Sequence, residues 1–136
     1  MRTEFRAFDA ECENCGHRFT RPELGDMSYG EFIFATANPP NYVYCNAFEP
    51  GPRLIHDLLG DATADCFQDA IAHFADGSVT ANSLKCPSCG QSSLSRMVDG
   101  AGHPIDIPST TYSRILSLPR DVLAAELEQF KVDWRG

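Results

Sequence analysis

Apolar side chains fall into two kinds of rhythm along this chain, one of period two and one of helical period. Glu31-Phe-Ile-Phe-Ala-Thr36 is β-branched and aromatic and predicts a strand, and Tyr42-Val-Tyr-Cys-Asn-Ala-Phe48 alternates large side chains and predicts a second. Between them Asn38-Pro-Pro-Asn41 must be a loop, because two prolines remove donors and fix the backbone, so the two strands are expected to pair as a hairpin. Ala64, Phe67, Ile71 and Phe74 recur at spacings of three, four and three, which predicts a helix beginning at about Asp61. Asp61 or Thr63 can cap its start and Gly77 can end it. Arg53 to Leu59 reads as a shorter helix closed by Gly60. Near the end, Pro119 opens a final helix on which Val122, Leu123, Leu127, Phe130 and Trp134 form an apolar stripe. That stripe is expected to pack on the body of the molecule, with a partner or second copy as the alternative.

Three stretches interrupt these rhythms. Arg21-Pro-Glu-Leu-Gly-Asp26 and Glu49-Pro-Gly-Pro52 read as breaks, and Asp99-Gly-Ala-Gly-His-Pro104 as a flexible joint. Phe5 and Phe8 lead into residues 10–20, and His17-Arg-Phe-Thr20 leads out, as two short strands of a hairpin. Ser78 to Lys85 is expected to be extended, and Ser92 to Val98 to be a strand.

Length sets the scale of the fold: 136 residues suffice for one domain with a moderate core. No stretch approaches the roughly 20 apolar residues of a membrane span, and the first ten residues mix charge with aromatics rather than forming a signal-peptide core. A cytoplasmic location is the expectation. The net charge of −8 changes the list of partners. Binding a phosphate backbone needs clustered Lys and Arg, whereas here the basic residues are scattered and only Lys85 and Lys131 are lysines. Nucleic acid is therefore disfavoured as a partner, and a protein partner is favoured.

The strongest chemical signal lies in two short words, Cys12-Glu-Asn-Cys15-Gly16 and Cys86-Pro-Ser-Cys89-Gly90. Each sets two soft ligands on one tight turn, and together they supply the four thiolates of a tetrahedral Zn²⁺ site. Glycine after each second cysteine accepts backbone angles that a side chain would forbid. A thioredoxin-type redox pair would need a helix starting at the first cysteine, and neither word has that pattern. Four thiolates fill the tetrahedron and leave no water to activate, so the zinc is expected to be structural rather than catalytic. Ligand identity alone leaves iron open. Cys45 and Cys66 lie in apolar sequence and read as buried small hydrophobes.

These two words resemble the twin knuckles of zinc-ribbon and rubredoxin-like proteins. More loosely, residues 77–90 resemble the end of bacterial CpXC-type domains. The resemblance implies a metal-stabilised fold and no activity. Seventy residues separate Cys15 from Cys86, against about 15 to 20 in the simplest ribbons. Because loop-closure entropy grows only logarithmically, such an insertion is tolerable. The expected architecture is α+β over 1–136: a split zinc ribbon with knuckles at 10–20 and 84–98. A β-hairpin and helices are inserted at 27–77, and a helical segment with the amphipathic helix occupies 105–136.

The other titratable groups are weaker candidates. His17 can act as an alternative ligand or support the cluster from outside, while His56 and His73 fall on predicted helices and His103 in a loop. His56, Asp57, His73 and Asp76 could be assembled into a hydrolytic site, but no H-E-x-x-H, G-x-S-x-G or phosphate loop is present. Tyr29, Phe32, Phe34, Tyr42, Tyr44 and Phe48 form either one buried face of the hairpin or an aromatic platform for a partner. The leading expectation is a small, acidic, zinc-stabilised protein-interaction module without catalytic residues. The alternatives are an enzyme with its site in 29–76 and a rubredoxin-like electron carrier using iron.

Overall fold

A computed structural model describes residues 4–23, 30–36, 42–77, 79–80, 86, 88–89, 95–97 and 102–134. Among them are two small antiparallel sheets and four helices, a mixed α+β arrangement.

The first sheet is built around β1 (Glu4–Cys12). On one side lies β2 (Arg18–Glu23), with Glu11 opposite Arg18 and Arg6 opposite Glu23. The other side is shared by two short strands, β6 (Ser95–Met97) opposite Ala10–Cys12 and β7 (His103–Asp106) opposite Glu4–Ala7. β2 runs on through Arg21-Pro22-Glu23, where a break was expected. Among the described residues it pairs only with β1, and an edge strand tolerates the missing proline N–H. His103-Pro104 likewise belongs to β7 rather than to a joint or loop, because β1 offers it a partner, with Pro104 opposite Arg6.

Burial along β1 changes phase. Phe5 and Ala7 are buried at one end and Ala10 and Cys12 at the other. Since successive side chains alternate across a strand, the two pairs face opposite sides of the sheet. Phe5 joins Ile33, Tyr44 and Ile107 in one apolar cluster, and its ring lies 5.0 Å from that of Tyr44. Ala10 and Cys12 join Phe19 and Cys86 in another. One strand thus supports two cores.

In the second sheet, β3 (Glu31–Thr36) lies between β4 (Tyr42–Asn46) and β5 (Val79–Thr80). The expected hairpin pairing is present, with Ile33 opposite Tyr44 and Glu31 opposite Asn46. The expected loop at Asn38–Asn41 and Tyr29 fall on residues outside the described ones, as do most of the positions expected to be extended before Cys86. The chain after β7 returns to this sheet: the Tyr44 N–H donates to the Pro108 carbonyl at 2.8 Å and the Thr110 N–H to the Tyr44 carbonyl at 2.7 Å.

The helices cover the second sheet. α1 (Pro50–Leu59) takes in Pro50-Gly-Pro52, because proline suits the first turn of a helix, where N–H groups have no intrahelical acceptor. Gly60, at φ +70°, ends it. α2 (Ala64–His73) is capped by Thr63, whose hydroxyl accepts from the Cys66 N–H at 3.1 Å. A short α3 (Ser113–Ser117), which no periodicity announced, precedes α4 (Arg120–Asp133). Leu123 and Leu127 of α4 are buried with Phe34, Cys45, Ile55, Leu59, Ile71 and Ile115, so this stripe packs on the same molecule. Val122, expected in the stripe, points outward at 42% exposure. Lys131 closes the arrangement by donating to the Leu59 carbonyl at the end of α1. None of the helices among the described residues is long and apolar enough to cross a membrane.

Candidate metal centre

The first cysteine pair sits where β1 turns into β2. Cys12 is the last residue of β1, and its N–H donates to the His17 carbonyl at 2.9 Å. The Gly16 N–H returns to the Cys12 carbonyl at 2.8 Å. Gly16 has φ +77°, a left-handed conformation that glycine adopts without a steric penalty. The tight turn therefore carries both thiols to one end of the hairpin. Gly90 lies outside the described residues. The second pair is brought to the same end beside β6, which lies against β1 with Ser95 opposite Cys12.

All four sulfurs lie within 4.8 Å of one another. Cys12 Sγ is 3.7 Å from Cys89 Sγ, and Cys15 Sγ is 3.6 Å from Cys86 Sγ. A zinc–thiolate bond of about 2.3 Å in a regular tetrahedron gives sulfur–sulfur edges of about 3.8 Å, so these separations suit one shared ion. All six cysteines are free of disulfides. Cys12 and Cys86 are buried at 2% and 3% exposure, Cys89 is partly covered and Cys15 is exposed. The cluster thus has an inner side backed by Ala10 and Phe19 and an outer side at the surface.

Backbone donors surround the sulfurs. The N–H of Cys15 foremost, and that of Asn14, point at the Cys12 sulfur and hold its thiol below the ordinary range. The His17 N–H acts the same way on Cys15, but desolvation and the sulfurs of Cys86, Cys89 and Cys12 outweigh it and push that thiol up to about 11. A thiolate at Cys12 is favoured here, and one at Cys15 is opposed by its neighbours. A divalent cation removes that opposition, which is how thiolate clusters and metal binding are linked. The donor set, its spacing and its N–H contacts are consistent with zinc; iron takes the same soft ligands, and the metal's identity does not follow from them.

Asn14 contributes a contact that spacing did not announce: its side-chain Nδ2 donates to Cys89 Sγ at 3.6 Å. The only sequence signal was an amide side chain inside the first turn. His17 is no part of the sulfur cluster, and its ring stacks on Phe19 with 6.2 Å between centroids. Cys45 is fully buried with its sulfur 3.3 Å from the Tyr112 hydroxyl, and Cys66 is 5% exposed. Burial pushes both thiols up.

Of the four residues weighed as a hydrolytic site, His56 and Asp57 are neighbours, while His73 and Asp76 have partners of their own. His56 lies edge-on to Phe67 and beside Asp57, while the His73 ring contacts Phe74 and Phe130. Asp76 accepts from the Thr111 hydroxyl at 2.7 Å and the Ser113 N–H at 2.8 Å. The aromatic stretch divides: Phe34 and Tyr44 are core residues, Phe32 and Tyr42 are partly buried, and Phe48 is 58% exposed. Searched against known proteins, the chain matches no protein-family model, no curated protein and no solved structure.

Proposed function

We propose that this chain is a small acidic protein-interaction module whose fold is held by a structural zinc ion bound to Cys12, Cys15, Cys86 and Cys89. One observation carries the metal assignment: two thiol pairs 70 residues apart in sequence present four sulfurs within 4.8 Å. In the finer reading, the β1–β2 hairpin with β6 is a split zinc ribbon, and the intervening sheet and helices are its insertion. Four thiolates occupy every position of a tetrahedron, which suits a stabilising ion rather than a water-activating one. Apparent zinc-binding free energies of about 10–16 kcal/mol at such sites act as folding free energy.

The interaction role rests on surface chemistry. Phe48, Leu116 and Val132 are exposed at 58%, 52% and 64%, on a molecule whose net charge of −8 disfavours a phosphate backbone. A reducing compartment such as the cytoplasm suits the free thiols.

Elemental analysis of the purified protein tests the metal: one zinc per chain and no visible absorbance is the expected result. A red, iron-loaded protein would instead support the electron-carrier alternative. Chelation should lower the melting temperature sharply, and an unchanged melt would defeat the structural role. The interaction role is tested by affinity capture from native extract followed by reconstitution with purified partner. It fails if no purified protein binds.

A further inference from the structure

The C-terminal ends of α2 and α4 meet around a wide, open-mouthed cavity of about 670 Å³. Its floor is aromatic. The His73 ring lies 4.8 Å from Phe74 and 5.2 Å from Phe130, and Phe74 and Phe130 are 5.8 Å apart. Trp134 adds a fourth ring and donates from its indole N–H to Asp69 at 2.7 Å, tying the end of α4 to α2. Around these rings stand three carboxylates, Asp69, Glu126 and Asp133. No lysine or arginine lines the cavity among the described residues. Two helix C-termini, each with the negative end of its dipole, converge here as well.

Aromatic faces and carboxylates attract the same ligand by different means. A cation over a ring gains from the quadrupole, and a carboxylate gains from its charge. A guanidinium satisfies both at once, because it is planar enough to stack and forked enough to bind a carboxylate through two N–H groups. We propose that this cavity binds an arginine side chain presented by a basic segment of a partner protein. The proposal rests on the interaction reading above and adds the chemistry of the partner. All three carboxylates are already engaged: Asp69 holds Trp134, while Glu126 contacts Arg114 at 3.4 Å and Asp133 contacts Gln129 at 3.0 Å, and these last two contacts are exposed, where exchange of partners is inexpensive.

Trp134 is the sole tryptophan of the chain, so its emission reports on the cavity directly. The full-length, metal-loaded protein would be titrated at low salt with a blocked pentapeptide carrying three arginines. Versions carrying three lysines or three glutamates serve as comparisons. Saturable change of the emission is expected with arginine, weaker binding with lysine and none with glutamate. Substituting Glu126→Gln together with Asp133→Asn should weaken arginine-peptide binding about tenfold. Asp57→Asn with Asp61→Asn removes the same charge elsewhere and should weaken it less than about twofold. Equal weakening by the two double variants, or an emission that never responds, would overturn the site. A purified partner that binds the Glu126→Gln/Asp133→Asn protein as tightly as the parent would also remove this site, while leaving the interaction reading intact. Peptide binding as described, with no protein partner obtainable, would do the reverse.

Discussion

Cys12 and Cys45 are both buried cysteines, yet they should respond to substitution in different ways. Cys86→Ser is expected to destabilise the protein as much as Cys12→Ser, by more than about 4 kcal/mol, because either change spoils the same coordination shell. Metal content and thermal melts of the two variants check this, and unequal losses would mean the pairs do not share an ion. Cys45→Ala removes only a small buried sulfur and its contact with Tyr112. It should cost about 1 kcal/mol and leave the metal stoichiometry unchanged. Asp76 is a third kind of residue, a carboxylate that secures the start of α3. The hydroxyl of Thr111 foremost, then the N–H of Ser113, holds its carboxyl below the usual range. A depressed carboxylate pKa stabilises the fold at pH values above the unfolded pKa, near 4, and that contribution fades as pH falls toward the folded value. Asp76→Ala should therefore lose about 1 kcal/mol at pH 7, judged from helix caps generally. The gap between the two proteins' urea midpoints should shrink below about pH 4.

Gly51 shows how an element can be ruled by its neighbour rather than by its own propensity. It lies inside α1, where alanine would ordinarily be favoured by about 1 kcal/mol. A Cβ there would stand 2.5 Å from Cβ of Tyr112, a core residue whose hydroxyl donates to the Ile71 carbonyl. Overpacking of that kind costs about 1–3 kcal/mol, so Gly51→Ala should lower the melting temperature despite the better helix former. The same contrast explains which elements were legible. The β3–β4 hairpin, α2 and α4 follow from period and punctuation in 31–48, 64–74 and 119–134, because their patterns are local. β7 and α3 were not legible, since their reasons are distant: β7 exists because Glu4–Ala7 offers an edge, and α3 is fastened by Asp76 from the end of α2. Pro22 and Pro50 were read as breaks because proline marks both the end of a strand or helix and an edge or first-turn position inside one. At the sulfur cluster the four cysteines were legible from spacing alone. The amide of Asn14 was not, because its target, Cys89, lies 75 residues away.

At the scale of the molecule, β1 links the sulfur cluster to the second sheet. Its Cys12 end belongs to the sulfur cluster and its Phe5 end packs on Tyr44, whose backbone also holds the segment that enters α3. On the proposed metal reading, removing the ion should accordingly reach beyond the four cysteines. Amide hydrogen exchange of the chelated protein is expected to rise along β1 and β2 first, and next at Tyr44 and Thr110. The α1–α2–α4 core should be the last to lose protection. Exchange confined to residues near the cysteines would show that the two cores are independent.

The separation of the thiol pairs also sets a clock. A ribosome adding about 5–20 residues per second completes Cys86 roughly 4–14 s after Cys15 has been made. Through that interval Cys12 and Cys15 form a dithiol with no second pair to share an ion. On the proposed metal reading, loading of the ion is then a late event that only a chain already synthesised past Cys89 can complete.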